Sequence, residues 1–246
     1  CKLYSKLAEK TNWDTTKWLI EKCKQIGVSK FLFASTCSNY GKMENSNKYV
    51  DENSRLAPIS LYAQLKVKFE KYMLDEMKKV QNFSPVSLRF STVYGLSPRM
   101  RFDLTVNEFT KDLALGKELV VFGEQFWRPY CHVKDFSKAF VTVLKADNKK
   151  IAYNVFNVGD TKENYTKQML IDEIKKVLPN SKIRYVAKEN DPRDYRVNFD
   201  KINKELGFKI SRRVPDGIIE VKRMIEEGII QDPDNQKYYN IPYDRT

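Results

Sequence analysis

Apolar positions along this chain recur at two spacings, and the switches between them predict its elements. Residues 2–26 follow the helical period, and Gly27 supplies the stop. Residues 28–35 are a short apolar run ending in small side chains, the pattern of a buried strand. Residues 41–56 are polar and turn-rich, a loop, and residues 60–80 are a long amphipathic helix started by Pro58 and Ser60. A second apolar strand covers 86–90 and runs into Ser91-Thr92-Val93-Tyr94-Gly95. The second half repeats the mixture in shorter pieces. It predicts helices at 104–115 (closed by Gly116), from Asp135 as its cap, at 167–177, 202–206 and 217–227. Strands are predicted at 119–122, around 130–133, at 153–158 and at 183–186. Helices and strands alternating at this spacing imply an α/β fold, a parallel sheet covered on both faces.

Composition narrows the picture. A chain of 246 residues with 41% hydrophobic residues suits one large domain, or one with a small lobe. No apolar run reaches the roughly 20 residues that span a bilayer, so no membrane partner is expected and the chain reads as cytoplasmic. Cys1, Cys23, Cys37 and Cys131 lie far apart without metal-ligand spacing, which predicts reduced thiols and no metal. His132 is the only histidine, which excludes a histidine-rich metal site and a serine–histidine hydrolase; it stands as a structural residue or a lone general base. The net charge of +12 raises nucleic-acid binding as a rival function. The lysines, however, are scattered along amphipathic segments, and no nucleic-acid-binding signature accompanies them, so they read as solvated helix faces. A basic balance also suits an anionic small substrate such as a nucleotide diphosphate.

The chemistry concentrates in Ser60-Leu61-Tyr62-Ala63-Gln64-Leu65-Lys66, downstream of Ser35-Thr36. Four residues apart on a helix, Tyr62 and Lys66 share one face. An ammonium about 4 Å from a phenol contributes on the order of 4 kcal/mol at a surface-like dielectric, before its own desolvation is subtracted. That lowers the phenol's pKa by up to about 3 units, towards the range of a base for a sugar or alcohol hydroxyl. The same spacing recurs at Tyr130 and Lys134, but Tyr130 ends an extended run with no hydroxyl cluster before it, so Tyr62 is the candidate acid/base.

A doubly wound dinucleotide fold opens with a strand, a Gly-rich turn and a helix whose N-terminus holds the pyrophosphate. No Gly-x-Gly-x-x-Gly is present, and the nine glycines are dispersed. The expectation is that on the order of 70–90 residues carrying that opening half precede Cys1.

Several ordered segments resemble the extended short-chain dehydrogenases/reductases, specifically the NAD-dependent nucleotide-sugar epimerases and dehydratases. Asn12-Trp13-Asp14-Thr15-Thr16 is similar to the family's Asn-x-x-Gly-Thr helix, with Thr15 in place of glycine. Residues 30–41 resemble the strand with the catalytic Ser/Thr, 60–66 the active-site helix, and 88–95 the segment beside the nicotinamide. Arg128-Pro129-Tyr130-Cys131-His132-Val133-Lys134-Asp135 resembles the segment near the substrate phosphates, and Asp191-Pro192-Arg193 the C-terminal substrate lobe. The resemblance implies a partial Rossmann-like doubly wound sheet in residues 1–95 and a small mixed α/β substrate lobe in 96–246, with elements returning to the sheet. It implies NAD or NADP as cofactor, a nucleotide-diphosphate sugar as substrate, and a homodimer through the helices at 2–26 and 60–80. Carried over by position, Tyr62 is the acid/base, Lys66 binds the nicotinamide ribose and depresses the phenol's pKa, and Thr36 bonds the reacting sugar oxygen. Ser35 supports Thr36 beside the cofactor, Ser91 touches the nicotinamide, and Thr92 faces the sugar. Asn107 contacts substrate, and Arg128 and Arg193 clamp the diphosphate with planar forks.

The 4,6-dehydratases of this family carry Asp-Glu directly after the catalytic Thr; here Cys37 and Ser38 stand there, neither capable of carboxylate chemistry. An epimerase or 4-keto reductase remains, with Cys37 either a packed thiol or an acid/base. Two rival functions stay open: a cofactor-less remnant serving as a binding or structural partner, and a basic nucleic-acid binder.

Overall fold

The computed structural model describes residues 4–43, 48–187 and 194–240. The first predicted helix comes in two pieces, α1 (Ser5–Glu9) and α2 (Thr15–Gln25), joined by a wide π turn at Lys10–Asp14. Gly27 follows at φ +77°, a conformation that suits glycine. β1 (Lys30–Thr36) lies slightly later than the apolar pattern suggested. The Ser60 hydroxyl accepts from the Ala63 N–H and starts α3 (Leu61–Lys71), which passes through a π turn at Tyr72–Glu76 and stops before residue 80.

β2 (Ser84–Phe90) and the short β3 (Thr92–Tyr94) precede α4 (Thr105–Ala114), β4 (Leu119–Phe122) and β5 (Trp127–His132). α5 (Val133–Lys145) begins earlier than predicted: His132, not Asp135, caps it, its ring nitrogen accepting from the Lys134 N–H at 3.1 Å. Asp135 is fully buried and accepts instead from the Ser211 N–H and hydroxyl and the Arg212 N–H. A short α6 (Asn148–Ile151) leads to β6 (Asn154–Val158), then β7 (Asn164–Thr166), α7 (Lys167–Val177) and β8 (Ile183–Val186). α8 (Asp200–Leu206) and α9 (Val214–Glu226) complete the set. α6 and β7, four and three residues long, are too short to leave a periodic signal.

β1, β2 and β6 form the main sheet, all parallel, in the order β1-β2-β6. Alternation along the strands splits its cover. Phe33 meets Ile20, Phe69 and Met73 of α2, α3 and the π turn on one face. Val86, Leu88 and Phe156 meet Ala139, Val143, Ile151 and Ile202 of α5, α6 and α8 on the other. Among the described residues β1 has no strand partner on its outer edge, where Ala34 is exposed. The second layer is the mixed part: β3 is parallel to β5, β5 antiparallel to β7, and β4 parallel to β8. These strands pack on α4, α7 and α9 through Val106, Phe109, Leu170, Ile174 and Ile218. No helix among the described residues is long and apolar enough to cross a membrane.

Glu108 is half-buried in α4, and burial, followed by the charge of Asp112, raises its carboxyl to about 7. A raised carboxyl favours the protonated native state, so its contribution is full below the unfolded value of about 4.3 and is lost as pH rises through about 7. Glu108→Gln is expected to leave Tm unchanged at pH ~3.5 and to raise it by roughly 2–4 °C at pH ~8, read by thermal denaturation.

Candidate active site

The carboxyl ends of β1 and β2 and the start of β3 open on a cleft of about 630 Å³, the place where open parallel sheets hold ligands. Thr36, Tyr62, Ser91, Thr92 and Arg128 all line it. Each arrives from a different element: Thr36 ends β1, Tyr62 sits in the first turn of α3, Ser91 and Thr92 follow β2, and Arg128 lies in β5. Thr36 also caps the turn Cys37–Tyr40, its hydroxyl accepting from the Ser38 N–H at 3.1 Å.

Three other predicted residues stand outside the cleft lining. Neighbours on a strand face opposite ways, so Ser35 cannot share the orientation of Thr36; it is buried, and its hydroxyl accepts from Asn39 Nδ2 at 3.1 Å. Asn107 is buried too: its Oδ1 accepts from the Gly95 N–H at 2.9 Å and its Nδ2 donates to the Arg101 carbonyl at 3.0 Å. It braces the loop between β3 and α4. The brace matters because Gly95 sits at φ +96°, where a Cβ would fall 2.1 Å from His132 Nε2. Lys66 lies one turn behind the cleft, its ammonium 4.7 Å from the centre of the Phe33 ring and 5.5 Å from that of Tyr62. Arg193, with Asp191 and Pro192, lies outside the described residues.

The electrostatics correct one expectation. Burial of the ring region pushes the Tyr62 phenol up and the Lys66 ammonium down, although the Tyr62 residue as a whole is 38% exposed. No hydrogen bond joins them among the described residues. Cys37 is a packed thiol: burial raises it, and its Sγ donates to the Arg89 carbonyl at 3.2 Å. His132 is structural. Its Nδ1 accepts the Lys134 N–H, which places its proton on Nε2, 2.8 Å from Glu220 Oε2. Lys134 reaches the same Glu220, so it makes no pair with Tyr130.

The cleft also holds residues that no motif marked: Arg101, Asp103, Lys167, Tyr195 and Asn240. Arg101 forks onto Asp103 at 2.6 and 2.8 Å, and Asp103 Oδ2 also accepts from the Asn240 N–H at 3.1 Å. Burial alone would raise Asp103, but these hydrogen bonds hold it below its ordinary value. Among the described residues the lining carries the cationic side chains of Arg101, Arg128 and Lys167 and the carboxylate of Asp103.

A model of the NAD dependent epimerase/dehydratase family matches residues 4–159. An uncharacterised UDP-glucose epimerase of Bacillus subtilis is 35% identical over 127 residues, 51% of this chain and 38% of that protein. The UDP-glucose 4-epimerase of the same organism is 26% identical over 213 residues, 79% of this chain and 62% of its own. The crystal structure of UDP-glucuronic acid 4-epimerase from Bacillus cereus, in complex with UDP-glucuronic acid and NAD, is similar with a TM-score of 0.76. It is 25% identical and the match covers 89% of this chain and 68% of that one. The chain thus spans less than two thirds of the length of these curated relatives.

Asn107→Ala leaves two buried backbone groups without their partner and is expected to cost about 2–4 kcal/mol in denaturant unfolding. A loss below about 0.5 kcal/mol would return Asn107 to the role of a substrate contact.

Proposed function

The chain belongs to the NAD-dependent epimerase/dehydratase family, and on that premise we propose that it carries the acid–base and substrate-binding part of an NAD(P)-dependent epimerase or keto-reductase of a nucleotide-diphosphate sugar. The observation that carries the reading is the shared cleft, which Thr36 and Tyr62 line together with Arg128 and Lys167. In this reading Tyr62 takes the proton of a sugar hydroxyl while a hydride leaves the same carbon, and Thr36 hydrogen-bonds the reacting oxygen. Ser91 and Thr92 form the adjoining wall. Arg128, joined by Arg193, holds the diphosphate, where a planar fork suits phosphate oxygens. With Cys37 buried and its thiol raised, no acid follows Thr36 to drive dehydration.

The residues present fit the nicotinamide-ribose end of the cofactor. The Tyr62 hydroxyl and the half-buried Lys66 ammonium both lack a hydrogen-bond partner among the described residues, so each has bonding capacity to offer a ribose. When bound, the nicotinamide supplies the hydride acceptor and donor. No Gly-rich pyrophosphate turn occurs in the 246 residues. The open edge of β1, in a parallel sheet with apolar cover on both faces, fits another parallel strand.

Turnover tests this reading. In a preparation active with NAD(P) on UDP-glucose or UDP-glucuronate, Tyr62→Phe is expected to lower kcat by roughly 10²–10⁴-fold with the fold kept; near-normal kcat would remove Tyr62 from the chemistry. The same reading makes the protein a homodimer through α1, α2 and α3, where Leu7, Trp18 and Leu19 expose apolar surface. Sedimentation equilibrium is expected to show a dimer that Trp18→Glu weakens, and a monomer at all concentrations would reject the assembly.

A further inference from the structure

Behind the cleft, Glu70 and Arg89 form an ion pair with both residues buried, at 3% and 4% exposure. Arg89 Nε donates to Glu70 Oε1 and Oε2 at 3.0 and 3.3 Å, and Nη2 donates to Oε1. The Ser87 hydroxyl adds a bond to Oε2 at 2.7 Å. The other arm of the guanidinium, Nη1, donates to the Tyr40 hydroxyl at 3.0 Å and to the Glu52 carbonyl at 3.3 Å. Tyr40 in turn donates to Asn157 Oδ1 at 2.7 Å, and the Asn157 N–H donates to Glu52 Oε1 at 2.7 Å. One node therefore joins α3, β2, β6, the turn after Thr36 and the loop that contains Glu52.

We infer that this node is a positioning device: it fixes the rotation and height of α3, and so places Tyr62 and Lys66 against the strand end that carries Ser91 and Thr92. The placement follows from two periodicities. Tyr62, Lys66 and Glu70 stand at i, i+4 and i+8 on α3, along one face. Ser87 and Arg89 alternate on the α3-facing side of β2, and Ser91 is the next residue of that alternation. A fork bonded to both oxygens of a carboxylate fixes direction as well as distance. Stability alone does not require such a pair, since buried ion pairs replaced by apolar residues of similar volume are often as stable or more so. Apolar packing would hold α3 down but leave its rotation free to settle elsewhere. The fixed rotation is what the charges add, at the helix whose first turn brings Tyr62 to the cleft.

The inference rests on the acid–base reading of Tyr62, but its test reads the phenol itself and not turnover. In the full chain with ring-labelled tyrosine, NMR gives the titration midpoint of Tyr62, assigned with Tyr62→Phe. Among the described residues, the charged groups that share the phenol's cleft or its helix face are Lys66 on its own helix and Arg101, Asp103, Arg128 and Lys167 from the other elements lining the cleft. All of them are left intact in the double variant Glu70→Leu/Arg89→Met and in Arg89→Lys, which keeps the charge without the fork. The double variant is expected to melt at or above the parent Tm while the Tyr62 midpoint moves by about half a unit or more. A folded double variant titrating within about 0.2 unit of the parent overturns the inference. Should the double variant fail to fold, Arg89→Lys decides by the same two outcomes. A normal kcat for Tyr62→Phe would defeat the functional reading and leave this titration result standing.

Discussion

A charge taken out of water has to meet its partner, and in this chain that requirement locks the helix of the candidate acid–base pair to the sheet. Glu70 projects from α3 towards β2, and the α3-facing side of β2 carries Ser87 and Arg89 where an ordinary parallel strand would carry aliphatic residues. Burial alone would lower the Arg89 pKa, but the charge of Glu70 beside it raises it above its ordinary value, so the guanidinium stays charged. From that junction the rest of the site inherits its geometry. The turn after β1 is held through Tyr40, β6 through Asn157, and the loop across the strand ends through Glu52.

What stands above this base is a cleft with two chemical characters. Its hydroxyls come from strand ends and the first turn of a helix, the positions at which a parallel sheet presents side chains to a ligand. Its cations come from elsewhere: Arg101 from the loop before α4, Arg128 from β5, Lys167 from the first position of α7. Asp103 restrains Arg101 through a two-bond fork, and Arg128 and Lys167 add two further cationic side chains to the same lining. Desolvation raises the Tyr62 phenol and lowers the Lys66 ammonium from their ordinary values.

Much of this was legible in the residues, and the misses have physical causes. The main-sheet strands and the helices at 61–71 and 167–177 follow from apolar spacing, because each buries one face or both. Thr36, Tyr62, Ser91, Thr92 and Arg128 were marked by ordered motifs, since a local strand end or helix turn is enough to present them. Ser35 faces away from Thr36, as alternation along β1 already requires. Asn107 bonds the Gly95 N–H, a use that the sequence does not show because an amide serves a backbone N–H as readily as a substrate oxygen. Asp135 looked like a helix cap by spacing, yet its partners lie some 76 residues downstream. Arg101 and Asp103 pair locally, but only tertiary packing brings Lys167 and Asn240 to the same cleft, and no local pattern records that. The sign of the Tyr62 shift was missed for the same reason: charge separation can be guessed from helix geometry, but burial cannot.

The central claim is that this cleft binds a nucleotide-diphosphate sugar with its reacting carbon beside Tyr62. A crystal structure of the protein with UDP-glucose or UDP-glucuronate tests it most directly. The account predicts a sugar ring within hydrogen-bond reach of Tyr62 and Thr36 and a diphosphate on Arg128. A nucleotide sugar seated elsewhere on the molecule, with the Tyr62 cleft bare, would contradict it.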